Sequence, residues 1–319
     1  MKAAVYDVAG APSVLKYVDI PSPAIGPEDV LISVEAISIE GGDLINRRSI
    51  QPPRPSWVVG YAASGRVAAV GSNVRGRTVG DRVAAFDVQG SHAELWAVPA
   101  GRTWLIPDGV DAADAAVLPI SFGTAHHCLF KRGALLHGET VLIQAATGGL
   151  GLAAVQLAAQ AGATVIAVAS GTQRRSRLIE LGADHVVDRA TSDVVETVRQ
   201  ITHGAGANLV IDPVGTTLSA SLCALAPEGR LVFVGNAGGG SLAVDLWQPM
   251  QANQTLLGVF MGPLFERPAV RSTVDDMFQA IAAGRIRTVI ERTFPLAEAA
   301  AAHDFAETAK SLGRIVMKP

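Results

Sequence analysis

Apolar positions in the first third of the chain fall in short runs, at residues 2–5, 30–37, 65–70, 82–86 and 93–98. Turn clusters separate them, at Pro21-Ser22-Pro23, Gly71-Ser72-Asn73 and Val79-Gly80-Asp81. Short strands with frequent turns predict an irregular antiparallel barrel. From about Pro119 the rhythm changes. Strand-like runs at 140–145, 164–169, 185–187, 209–211, 230–234 and 255–259 alternate with helical stretches at 150–160, 173–181, 193–202 and 218–225. This alternation predicts βαβ units and a parallel sheet. The last segment carries a helix near 269–283, an alanine-rich helical stretch at 298–302 and strand-like pieces at 288–294 and 313–317. It is expected to rejoin the first domain. The fold class is α/β, with domains at 1–118 and 119–262 and a returning segment at 263–319.

One stretch carries chemistry. Val141-Leu142-Ile143-Gln144-Ala145-Ala146-Thr147-Gly148-Gly149-Leu150-Gly151 reads as a buried strand, a glycine turn and the start of a helix. A doubly wound sheet holds a dinucleotide pyrophosphate with this device. Glycines at 148 and 151 leave no Cβ between backbone and ligand. The helix opening at Leu150 aims unsatisfied N–H groups and a positive dipole end at the phosphates. The usual first glycine is Ala146, so the fingerprint is A-x-G-x-x-G.

The end of the next strand selects the cofactor. An NAD site wants a carboxylate there for the ribose 2′-hydroxyl. Here the chain reads Ala169-Ser170-Gly171-Thr172-Gln173-Arg174-Arg175, with no acid and two arginines. A guanidinium pairs with phosphate through a planar fork. NADPH is therefore expected, with Ser170 and one of Arg174, Arg175 and Arg177 on the 2′-phosphate. The bland alternative is a solvated helix face. Strand-end loops at Thr147, Ser170, Asp212-Pro213-Val214-Gly215, Gly235-Asn236-Ala237-Gly238 and Phe260-Met261-Gly262 are where a ligand must sit.

At 319 residues the chain is long enough for two cores, because single cores stop growing near about 250–300 residues. A hydrophobic content of 49% and a charged content of 17% exclude disorder. The net charge of −3 offers no basic field for nucleic acid. Cys128 and Cys223 are too few for a disulfide framework. The N-terminal residues show no apolar signal region, and no run is long enough to span a bilayer. A cytoplasmic protein with no membrane partner is expected.

Together these pieces resemble the medium-chain dehydrogenase/reductase superfamily, and within it the zinc-free quinone oxidoreductases of the zeta-crystallin type. The carriers are Gly80-Asp81-Arg82-Val83, the 145–151 turn, Asp212-Pro213-Val214-Gly215 and Gly313-Arg314-Ile315-Val316. The resemblance implies a GroES-like catalytic domain, a Rossmann domain, a cleft between them holding NADPH, and a homodimer or homotetramer. The sheet edge near 255–259 is a pairing element, or an edge buried within the chain. Residue by residue, it implies Thr124 beside the nicotinamide, Thr147, Gly148, Gly149, Leu150, Gly151 and Val214 around the cofactor, and Gly235 and Asn236 near the nicotinamide ribose. It also places Arg314 where relatives often carry a cofactor-contacting lysine; a surface arginine on the closing strand is the alternative.

Departures from the pattern matter as much. Where zinc relatives have Gly-His-Glu, this chain has Gly60-Tyr61-Ala62, and the cysteine-ligand position is Glu40. The four-cysteine loop is absent, and His126 and His127 are adjacent, so they cannot share one ion from a helix. No catalytic or structural metal is expected. The quinone reductases usually have asparagine at the Glu40 position and often tyrosine two past Asp43, where this chain has Ile45. Tyr61 is the candidate hydrogen-bond and proton donor, against a packed cleft aromatic. Glu40 is either a proton acceptor or substrate contact, or a buried acid paired with an arginine such as Arg47. The basic, proline-rich stretch 46–57 reads as a solvated loop, with a phosphate or carboxylate anchor as the alternative, and Gly238-Gly239-Gly240 as a flexing loop or a tolerant turn.

Without a metal to polarise a carbonyl, a conjugated acceptor suits the site best, because its charge spreads into an enolate or hydroquinone anion. The expected activity is hydride transfer from NADPH to a quinone or α,β-unsaturated carbonyl. The alternatives are an enoyl-thioester reductase of acyl or polyketide metabolism, and a non-catalytic NADPH-binding structural or redox-sensing protein.

Overall fold

The computed structural model describes residues 1–319 except 172, 173 and 310. The chain begins with β1 (Lys2–Tyr6), β2 (Lys16–Asp19), β3 (Asp29–Ser38), helix α1 (Gly41–Ser49), β4 (Trp57–Val58), β5 (Ala62–Val70), β6 (Arg82–Phe86), β7 (Leu95–Pro99), β8 (Thr103–Leu105) and helix α2 (Ala112–His126). A π-helical stretch follows at His127–Arg132. The alternating part comprises β9 (Thr140–Ile143), α3 (Gly149–Gln160), β10 (Thr164–Ala169), α4 (Arg175–Glu180), β11 (His185–Asp188), α5 (Val194–Ile201), β12 (Ala207–Asp212), α6 (Leu218–Ala224), β13 (Leu225–Phe233), α7 (Trp247–Gln251) and β14 (Thr255–Gly258). The chain closes with α8 (Pro268–Ala282), β15 (Ile290–Pro295), α9 (Ala299–Thr308) and β16 (Arg314–Lys318).

Two compact units result, one of residues 1–123 with 262–319, the other of residues 124–261. In the first, β15-β16-β3-β5-β6-β8 form a sheet to which β7 adds by pairing β3, and β2-β1-β4 form a second sheet. Pairing is antiparallel throughout except between β15 and β16. β16 binds β3 through Val316 opposite Ser38 and Met317 opposite Ile37, so the final segment completes the unit that begins the chain. Its core includes Ile32, Val34, Ile37, Val67, Val83, Trp96, Leu296, Ile315 and Met317. Each large apolar side chain fully buried contributes roughly 1.5–3 kcal/mol.

In the second unit the sheet order is β11-β10-β9-β12-β13-β14, with every pair parallel. β9 is central and the strand order reverses between β9 and β12, the switch point at which open α/β sheets bind ligands. β9 and β10 are apolar on both faces because helices cover both.

Several elements differ from the sequence reading. β2, β4 and β8 are two to four residues long and carry too short a pattern to detect. α1 opens on Gly41-Gly42, poor helix formers. Asp43 offsets them by accepting the Glu40 backbone N–H at 2.8 Å. Part of the expected 46–57 loop is therefore helix, and Arg47 is buried, bonded to Gly10 O and paired with Glu307. Pro119 lies inside α2 instead of marking a boundary.

Candidate functional site

In the second unit, β9 gives way to a turn in which Ala145 takes a φ of +48°, a conformation that costs an L-residue about 1–2 kcal/mol. Ala146 N–H reaches Val168 O at 2.9 Å and Gly148 N–H reaches Ala145 O at 3.0 Å, which pins the turn to β10 and to itself. Gly148 is the N-cap of α3, and Gly149 is the first helical residue. The N–H groups of that first turn lack intrahelical acceptors and form a ready anion site.

The two fingerprint glycines do different work. A Cβ on Gly151 would lie 2.5 Å from Ala145 O and 2.6 Å from Ala146 Cα, so glycine there lets helix and strand pack. A Cβ on Gly148 would meet only Ala145 O, at 3.5 Å, and its φ of −78° suits any residue. Packing does not demand glycine at 148, yet the space is kept clear above a helix N-terminus, as a pyrophosphate requires. Gly148→Val is expected to weaken dinucleotide binding at least tenfold, about 1.4 kcal/mol, at an unchanged melting temperature. Gly151→Ala is expected to lower the melting temperature instead. Fluorescence titration and thermal melts on the two variants check this contrast.

The ribose corner lies at the end of β10. Ser170 is half-buried, and the chain from Ala169 to Arg175 carries no acid. Arg174 donates from Nη1 to Ser170 O at 2.5 Å. A second guanidinium reaches the same residue from the neighbouring strand: Arg189 Nε donates to Ser170 Oγ at 2.8 Å. Parallel pairing of Ala169 with Asp188 puts Arg189 there, one residue beyond β11. Arg189 is absent from the sequence reading because only strand register brings it to this corner. Arg175 is exposed in the first turn of α4, and Arg177 is engaged by Glu180 at 2.8 Å. Thr172 and Gln173, within the expected helix and phosphate loop, lie outside the described residues.

The remaining strand ends are ordered by a buried carboxylate. Asp212 accepts the N–H groups of Val214 at 2.8 Å and Gly215 at 3.1 Å, and the hydroxyls of Thr217 and Ser221. Gly238 N–H bonds Val214 O at 2.8 Å, and Asn236 Nδ2 bonds Gly240 O at 3.0 Å, so the triple glycine is tied down by its own backbone. Asn236 Oδ1 is buried without a partner. Thr147 is half-buried in the turn, Leu150 half-buried in the first turn of α3, Gly235 exposed with a φ of 138°, and Thr124 buried near the end of α2.

In the first unit, Glu40 and Arg314 are each other's partner. Arg314 Nη2 pairs with Glu40 Oε2, Nε donates to Ser121 Oγ at 3.2 Å, and Nη1 faces Ile39 O at 3.4 Å. Ser38 Oγ donates to Glu40 Oε1 at 2.7 Å. Glu40 is 2% exposed, so the expected substrate-facing role gives way to a buried ion pair, and its partner is Arg314, not Arg47. Arg314 is not the exposed arginine of the alternative reading: its side chain is 14% exposed, and all three of its nitrogens have partners within its own unit. Burial raises the Glu40 carboxyl pKa, and the Arg314 charge opposes this.

Tyr61 is half-buried beside this pair. Its hydroxyl accepts from Asn46 Nδ2 at 2.6 Å, and its ring meets Phe86 edge-on at 6.3 Å. Burial, then the Asp43 charge, push the phenol up to about 12. At neutral pH it is a stable hydrogen-bond donor.

Residues 149–282 match the zinc-binding dehydrogenase family, and residues 26–108 match the alcohol dehydrogenase GroES-like domain. A 2-haloacrylate reductase from Burkholderia sp. is 32% identical, with 99% of this chain and 98% of that protein covered. A quinone oxidoreductase from Pseudomonas aeruginosa is 33% identical, with 97% of each covered. The solved structure of a mycobacterial protein complexed with NADPH superposes with a TM-score of 0.94 at 33% identity, over 100% of both chains.

The chain belongs to the zinc-free quinone oxidoreductase branch of the medium-chain dehydrogenase/reductase superfamily.

The zinc-binding name of one matched family raises the question of a metal, and the donor set does not fit one. The cysteine position of zinc-dependent family members is Glu40, held by Arg314 and Ser38. The histidine position is Tyr61, held by Asn46. Among the described residues, no group of three His, Cys, Asp or Glu side chains could hold an ion. A dinucleotide, by contrast, fits the turn at Gly148 and the arginine-lined corner at Ser170. No helix among the described residues is long and apolar enough to cross a membrane.

Proposed function

We propose that the chain transfers a hydride from NADPH to quinones and α,β-unsaturated carbonyl compounds. The observation that carries this reading is the ribose corner: two guanidiniums converge on Ser170 where an NAD site would place a carboxylate. The two relatives above, named for a quinone and for a 2-haloacrylate, support the acceptor class.

Bound NADPH supplies the hydride. The glycine turn from Gly148 to Gly151 holds the pyrophosphate on the α3 N-terminus. Arg174 and Arg189 take the 2′-phosphate beside the Ser170 hydroxyl, with Arg175 adding field at the rim. Thr147, Leu150, Val214, Gly235, Asn236 and Thr124 frame the rest of the cofactor.

The Tyr61 hydroxyl donates to the acceptor oxygen on which negative charge develops, and such a donor is worth about 10²–10³ in rate. Because this phenol is pushed up to about 12, above the roughly 10 of an ordinary phenol, it is protonated at neutral pH. The proton that completes the hydroquinone or saturated carbonyl comes from Tyr61 or from water. The acceptor would thus gain one proton and one hydride, the hydride supplied by the bound cofactor.

The test is NADPH oxidation against quinones, enones and enoyl thioesters, with NADH in parallel. Turnover of quinones or enones, with NADPH preferred, is the expected result. Turnover confined to enoyl thioesters would reassign the acceptor. Tight NADPH binding without oxidation across the panel would make the chain a binding protein.

We also propose a homodimer formed through the β14 edge. That strand pairs only β13 among the described elements, and Leu246, Trp247, Met250 and Phe260 around it are exposed. An unpaired edge flanked by apolar side chains is a template for a second copy. Light scattering is expected to give twice the 33.0 kDa chain mass. Trp247→Asp with Met250→Asp should return it to the chain mass, with NADPH affinity retained.

A further inference from the structure

Tyr61 is gripped by one face of α1, and the grip decides where its hydrogen points. Gly42 and Asn46 stand four residues apart, and therefore share that face. A Cβ on Gly42 would lie 2.2 Å from Tyr61 Cε2 and 2.9 Å from both Cζ and Oη, so the ring lies directly on the bare helix backbone. Phe86 meets the ring at 66°. Asn46 Nδ2 then donates to the phenol oxygen at 2.6 Å. An amide nitrogen cannot accept, so the phenol cannot give its hydrogen back to the group that binds it. Its single hydrogen is left for another partner, from an oxygen already fixed in place.

We propose that Asn46 is the positioning residue that aims the Tyr61 hydroxyl hydrogen at the acceptor oxygen, with Gly42 as the seat of the ring. The inference rests on the reading of Tyr61 as donor to the acceptor. Asn46 touches neither hydride nor acceptor; it works through the phenol. The donor strengthens as the acceptor oxygen becomes anionic, because hydrogen bonds to charged groups are roughly twice as strong as neutral ones.

The experiment measures kcat and KM with NADPH and 1,4-naphthoquinone for Asn46→Ala, Asn46→Asp, Tyr61→Phe and the Asn46→Ala/Tyr61→Phe double variant, with NADPH Kd taken separately. Asn46→Ala is expected to lower kcat about tenfold at unchanged NADPH Kd, the value of one lost neutral hydrogen bond. Asn46→Asp should lose more, because a carboxylate captures the phenol hydrogen. On the Tyr61→Phe background, Asn46→Ala should cost less than about twofold, since coupled residues are not additive. The ¹³Cζ resonance of Tyr61, one of three tyrosines, should move in Asn46→Ala without any turnover. An Asn46→Asp variant as active as the parent, full additivity in the double variant, or an unmoved Cζ resonance overturns the positioning role while Tyr61 keeps its own. A Tyr61→Phe enzyme with parental turnover removes the donor itself, and this proposal with it.

Discussion

Replacing Arg174 and Arg189 together by alanine is expected to weaken NADPH binding about a hundredfold or more, while NADH binding stays within about twofold. Each guanidinium offers a charge-assisted bond to the 2′-phosphate, and such bonds contribute roughly 1.5–3 kcal/mol, tenfold or more apiece. Arg174, at the N-cap of α4, bonds the Ser170 carbonyl, and Arg189, just beyond β11, bonds its hydroxyl, so neither replaces the other's geometry. NADH lacks the phosphate and gains nothing from either. Arg177→Ala should change little, because Glu180 already occupies that side chain. Arg189 is exposed, so its share should fall with added salt as screening sets in. Ser170→Asp should reverse the preference, placing a carboxylate where an NAD site carries one. Calorimetry with both nucleotides reads the result directly. Equal losses for NADPH and NADH would mean that the arginines support the fold and do not read the phosphate.

Arg314→Met is expected to destabilise the protein by about 3–5 kcal/mol, the usual cost of stranding one partner of a buried ion pair. The two side chains are 14% and 3% exposed. Arg314 also braces Ser121 and the carbonyl of Ile39. Replacing both partners, as in Glu40→Leu with Arg314→Met, should restore much of the loss, since no charge is then left buried. The pH dependence has a defined sign. Burial already raises the Glu40 pKa in the folded protein, and loss of Arg314 removes the force that opposes it. A carboxyl raised above its unfolded value of about 4.3 favours folding in its protonated form. That contribution is complete below the unfolded value and is lost as pH rises through the folded one. The deficit of Arg314→Met should therefore be largest near neutrality and shrink toward pH 4–5. Urea midpoints of parent and variant across that range check it; a deficit independent of pH would show that Glu40 is not the group left uncompensated.

Much of the second unit was legible because its signals are local. The 141–151 stretch encodes strand, turn and helix within one short window, and the apolar runs before and after it repeat the period. The first unit resisted in places for physical reasons. Gly41 and Gly42 argue against a helix, yet glycine at 42 is what lets Tyr61 lie on α1. Arg47 and Arg48 look alike in sequence, but Arg47 is buried against Glu307 and Arg48 is exposed. The pattern changes near Pro119, but that residue lies inside α2, which continues through it.

What the sequence determined alone was everything that depends on neighbours along the chain: the order of strands and helices, the glycine turn, and the missing acid after β10. Partnership across the chain was decided only by the tertiary structure. Arg189 reaches Ser170 because β10 and β11 run in parallel register. Glu40 meets Arg314 because β16 returns to pair β3. Charge and hydrogen bonding act over a few ångströms of space, and sequence distance sets no limit on which residues the fold brings that close.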